Sequence, residues 1–72
     1  METYSRIVIE DYCRTHKTRK ASILKYLLDM SYDPEYGGSD DEAIYLERLI
    51  KTEKNSERKE ALQDLDDLLF GY

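Results

Sequence analysis

The chain has one cysteine, one histidine, one proline, one phenylalanine and no tryptophan. Each scarcity excludes something. A single cysteine rules out an intramolecular disulfide framework. One cysteine and one histidine are too few for a structural zinc site, which takes four ligands. No apolar run approaches the ~18 residues of a membrane-spanning helix. The opening residues, Met1-Glu2-Thr3-Tyr4, lack the charged-then-apolar layout of a secretory signal. The expectation is therefore an intracellular, cytoplasmic chain with no membrane association. There is no glycine-rich phosphate loop and no dinucleotide fingerprint, and no cofactor is expected.

What is present fits one small domain spanning 1–72. The composition is 40% hydrophobic and 38% charged, which suits a globular chain rather than a disordered one. At 72 residues the core has little capacity to enclose a deep pocket. Proline and two of the three glycines fall together in the segment 31–39, Ser-Tyr-Asp-Pro-Glu-Tyr-Gly-Gly-Ser, which reads as a long central loop.

The pattern on either side of this loop predicts an all-α fold, a small compact bundle of about four short helices. Tyr4, Ile7, Val8 and Tyr12 follow the spacing of a helix face. The β-branched run Ile7-Val8-Ile9 also suits a short strand, but no second strand is there to pair with it. A second stripe at Ile23, Leu24, Leu27 and Leu28 has Thr18 as its N-cap. Beyond the loop, Ser39 and Glu42 form a capping box ahead of Ala43, Leu46, Leu49 and Ile50. Glu53 and Glu57 interrupt that stripe, so the third helix should stop near Lys54, with Asn55 or Ser56 capping a fourth. The fourth stripe is Ala61, Leu62, Leu65, Leu68 and Leu69, and Gly71 occupies the position of a C-terminal glycine. Ile9, Cys13, Tyr26, Met30, Tyr32, Tyr36, Ile44, Tyr45, Phe70 and Tyr72 are left over, more apolar surface than one small core uses.

Charge is uneven along the chain. Residues 1–36 are neutral, and residues 37–72 carry the whole net charge of −5. Two segments conflict with the helix dipole. Arg19 and Lys20 open the second helix, where positive charge meets the positive end. With Arg14 and Lys17 they make a candidate anion or nucleic-acid site. Asp67 lies near the C-terminal end of the last helix, where acids are disfavoured. With Asp64 and Asp66, and with Glu57 and Glu60 upstream, it forms an acidic segment suited to a basic partner.

Chemistry is sparse. Cys13 and His16 stand three apart, on one side of a helix, but lack a third group to form a catalytic set. The loop from Asp33 to Ile44 has a glycine at the sixth position of a calcium loop, but Gly37 and Ile44 stand where ligands belong. In size, acidity and lack of a catalytic motif, the chain resembles in type the small helical modulators encoded by phages and other mobile elements. Such proteins bind and block another protein, and no particular residue carries the resemblance.

The leading expectation is a non-enzymatic interaction module that modulates or inhibits a protein partner by occlusion, that partner being a nucleic-acid-binding regulator or enzyme. Its candidate contacts are Asp64, Asp66, Asp67, Phe70 and Tyr72, with Tyr32 and Tyr36 as aromatic anchors. The alternative is a small helical nucleic-acid-binding regulator using the basic 14–20 segment, which the net acidity opposes. A homodimer or structural oligomer is a third reading.

Overall fold

The computed structural model describes residues 2–71. Four helices follow one another: α1 (Thr3–Thr15), α2 (Arg19–Met30), α3 (Asp40–Thr52) and α4 (Ser56–Phe70), with no strand among the described residues. The segment 5–10 is helix, so the strand alternative for Ile7-Val8-Ile9 is not realised.

Local chemistry sets most of the boundaries. The Thr18 side chain accepts from the Ala21 amide and starts α2. Ser39 accepts from the Glu42 amide and starts α3. Asn55, rather than Ser56, caps α4 by accepting from the Arg58 amide at 2.9 Å. The capping box is half reciprocal. The Glu42 carboxylate does not reach the Ser39 amide, and instead accepts from the Ser39 hydroxyl and from the Tyr36 hydroxyl at 3.0 Å.

α4 packs against each of the other three helices, and α1 also packs on α2. The backbones of α2 and α3 stay apart, so the ring of helices is open along one edge. Ile9, Leu24, Leu27, Leu46, Leu62 and Leu65 are fully buried at the centre. No helix among the described residues is long and apolar enough to cross a membrane.

α1 is rotated part of the way from the expected face: Val8 and Tyr12 of the expected stripe pack at the edge of the core, but Tyr4 and Ile7 do not. Its buried residues are Ser5 and Ile9, whereas Tyr4 is 58% and Ile7 45% exposed. Two faces of α1 carry apolar residues at helical spacing, and packing on α2 and α4 selected the one centred on Ile9. Ser5 is tolerated on the buried face because its hydroxyl donates to the Asp64 carboxylate. Leu68, expected in the α4 stripe, is also largely exposed.

Gly71 follows the last helical residue with its amide bonded to the Asp67 carbonyl, but its φ of −84° is not left-handed. The conformational demand falls on Gly38, the single positive φ among the described residues, at +71°. A Cβ there would lie 2.8 Å from Cε1 of Phe70. Gly38→Ala should therefore cost about 1–3 kcal/mol, from both backbone strain and the clash. Gly37 is in the open, with nothing within 4 Å of where a Cβ would stand, and should accept alanine with little loss. Urea unfolding of the two variants checks this, and equal midpoints would contradict it.

Candidate functional site

The acids of α4 do not share one surface in the expected way. Asp64 turns toward α1 and accepts the Ser5 hydroxyl. Asp66 lies on another side of the helix, half-buried and near Glu47 of α3. Loss of water around it, with the charges of Asp67 and Glu47 adding, pushes its carboxyl above the usual range. Asp67 is exposed. The acids that do align are Glu57, Glu60, Asp64 and Asp67, whose steps of three, four and three residues keep them along one side of a helix. None of these four is in an ion pair among the described residues, whereas Glu10, Asp11, Asp29 and Glu47 each have one and Glu53 has two. Glu57 and Glu60 thus join the candidate surface, while Asp66 belongs to a different side.

This acidic line borders the outer face of α1. Glu57, Glu60 and Asp64 enclose a shallow groove with Tyr4 and Ser5. Tyr4 and Glu57 also line a second groove, which runs along α1 past Ile7 and Val8. The outer face of α1 around Tyr4 and Ile7 is therefore an apolar strip, bounded on its α4 side by carboxylates that enter no ion pair among the described residues, with Arg58 lining the groove beside Glu57.

The expected aromatic anchors divide. Tyr36 packs on the core, meets Phe70 edge-on with ring centroids 6.3 Å apart, and donates its hydroxyl to Glu42. Tyr36 and Phe70 together fasten the α2–α3 loop to the end of α4. Tyr32 is 59% exposed and lies near Arg6, whose pKa it raises. Tyr72 lies outside the described residues.

The basic segment is dispersed. Arg14 pairs with Asp11 at 2.7 Å. Arg19 faces the open edge between α2 and α3. Lys17 shares a cleft between α1 and α2 with Arg14 and Lys25, so the cations that stay together include one outside the expected segment. Lys20 turns inward to Glu53, 3.5 Å away.

Glu53, the residue that ends α3, has only 5% of its side chain exposed. One oxygen accepts from the Asn55 amide at 3.0 Å and from Arg58 at 3.1 Å, and the other faces Lys20. Burial alone would raise its pKa, but the Asn55 amide, Arg58 and Lys20 outweigh that and hold it below the ordinary carboxylate value. Both cations also flank the Tyr12 ring, Arg58 at 4.6 Å and Lys20 at 5.2 Å from its centroid. The His16 ring stacks on the same tyrosine at 4.1 Å.

Cys13 and His16 have separate partners. The thiol donates to the Ala21 carbonyl, and burial raises its pKa, away from nucleophilic chemistry. The histidine Nδ1 lies between the Tyr12 carbonyl and the Thr15 hydroxyl. In the central loop, Asp33 accepts from the Glu35 amide in a local turn. Among the described residues, no three His, Cys, Asp or Glu side chains converge to hold a metal. No protein-family model, curated protein or solved structure matches the chain.

The two perturbed carboxyls have opposite signs in stability. Glu53, lowered in the fold, stabilises it fully above its ordinary value of 4.5 and stops doing so as pH falls through the lowered one. Glu53→Gln should lose about 1–3 kcal/mol at neutral pH and show a shallower decline in acid. Asp66, raised in the fold, destabilises it above its raised value, and the penalty disappears as pH falls toward 3.8. Asp66→Asn should gain about 0.5 kcal/mol at neutral pH and nothing in acid. Denaturation midpoints measured across pH check both signs.

Proposed function

We propose that the chain is a non-enzymatic protein-interaction module that engages a basic protein partner and modulates it by occlusion. The observation that carries this reading is the line Glu57, Glu60, Asp64 and Asp67, in no ion pair among the described residues, beside the exposed Tyr4 and Ile7. At 1.5 Å per residue the line extends for about 15 Å, a length that several lysines or arginines can span. A surface that binds nucleic acid presents cations set to meet a row of phosphates, and this row of carboxylates suits the same cations. The adjoining tyrosine and isoleucine add contact area that a polyanion does not offer. Occupation of that surface excludes the partner's usual ligand, and the concentrated negative field speeds the encounter.

A second reading, a nucleic-acid-binding regulator, has one observation in its favour. Arg14, Lys17 and Lys25 line one cleft between α1 and α2. Arg14 and Lys25 are already paired with Asp11 and Asp29, and the net charge of −5 opposes a polyanion at long range. The first reading is therefore preferred.

A fluorescent amphipathic Lys/Leu peptide and a DNA duplex separate the two readings by anisotropy. The peptide should bind, and Glu60→Lys with Asp67→Lys should weaken it at least about tenfold. The same charge change placed in the loop, Asp33→Lys with Glu35→Lys, should weaken it far less, which distinguishes the surface from net charge. Ile7→Ser should also lower affinity with helix content unchanged. A salt-sensitive duplex complex, lost on reversal of Arg14, Lys17 and Lys25, would put the second reading first.

A further inference from the structure

The open edge of the helix ring has a composition unlike the rest of the surface. α2 and α3 make no backbone contact, and the cleft between them, about 440 Å³, is floored by Ile23, Tyr26 and Tyr45. Tyr26 is 47% exposed, and Ile23 and Tyr45 are half-buried. Arg19 stands on the α2 rim and Asp41 on the α3 rim, both exposed and neither in an ion pair among the described residues. Glu42, also on the α3 rim, already accepts from Tyr36 and Ser39. The cleft thus presents one uncommitted charge of each sign on opposite rims of an apolar floor.

We infer that this cleft is a self-association surface and that its occupant is a second copy of the chain, related by a twofold axis. The charge pattern selects that occupant. In a twofold contact each surface meets itself, so Arg19 of one copy faces Asp41 of the other, and the reverse holds on the second rim. The apolar floors then meet at the centre, where two tyrosines and an isoleucine from each copy replace water. The pattern fits a helix of unrelated sequence no better than any other groove would, but it is complementary to itself. The α1–α4 face cannot serve this purpose. A twofold contact there would set carboxylates against carboxylates between two chains that each carry −5. The proposal goes beyond the basic-partner reading and shares no residue with it, so either can fail alone. Together they give the molecule one face of mixed charge for its own copy and one acidic face for another protein.

Sedimentation equilibrium of the full chain tests the proposal. A monomer–dimer equilibrium is expected, with Arg19→Asp and Asp41→Arg each raising the dissociation constant at least about tenfold. An equimolar mixture of the two variants should recover a one-to-one dimer, because positions 19 and 41 are then both acidic in one partner and both basic in the other. A merely misfolded variant would not show this recovery. Tyr26→Ser should weaken the dimer in both the wild-type and the mixed pair. A strictly monomeric wild-type chain up to about 1 mM would overturn the proposal. So would a dimer indifferent to both charge reversals, or two reversed variants that remain monomeric when mixed.

Discussion

One nearly buried carboxylate, that of Glu53, ties together the ends of all four helices. It terminates α3, accepts from the amide that leads into α4, binds Arg58 in the first turn of α4, and draws in Lys20 from the first turn of α2. The two cations gathered there flank Tyr12 of α1. A buried charge is costly unless its partners are well placed, so the three-residue connection from Glu53 to Asn55 has little freedom to move. The positive charge of Lys20 at the positive end of α2 is unfavourable when that helix is considered alone. In the folded molecule the same lysine faces a nearly buried carboxylate and, with the Asn55 amide and Arg58, helps to hold its pKa below the ordinary value.

The surface follows from how the bases are used. Lys20 and Arg58 are taken by Glu53, Arg14 by Asp11, Lys25 by Asp29 and Lys51 by Glu47. What remains along α4 is a line of acids that enter no ion pair among the described residues, with Lys59 an exposed base on the same helix. Glu57, Glu60, Asp64 and Asp67, part of the acid excess of the second half of the sequence, share that line. Beside it lies the outer face of α1, left exposed because a helix with two apolar faces can bury only one in a ring this small.

The sequence made the caps legible because capping is local. Thr18, Ser39 and Asn55 each bond an amide three residues ahead, and residue type with spacing is enough to see that. The four helices followed from those caps and their stripes. The face of α1 was not legible, since Ser5 is buried only because Asp64, fifty-nine residues later, accepts its hydroxyl. Glu53 was readable as the end of a helix but not as a binding site for Lys20, which is distant in sequence. Phe70 and Tyr36 looked surplus to the core because nothing local shows that they meet. Asp64, Asp66 and Asp67 looked like one cluster, yet the helical turn sends Asp66 to another side.

The pairing of α1 with α4 joins the two ends of the chain, which gives this helical protein a folding problem of a kind more usual in sheets. Contacts between distant segments form late, because the intervening loop must first be closed. During synthesis at ~5–20 residues per second, α1 is complete well before α4 exists. In that interval both of its apolar faces, the one around Ile9 and the one around Tyr4 and Ile7, are open to solvent. α2 can cover part of the first, but Ser5 has no acceptor until Asp64 is made. The first helix therefore waits for the last one to complete its inner face, and its outer face around Tyr4 and Ile7 stays open even then.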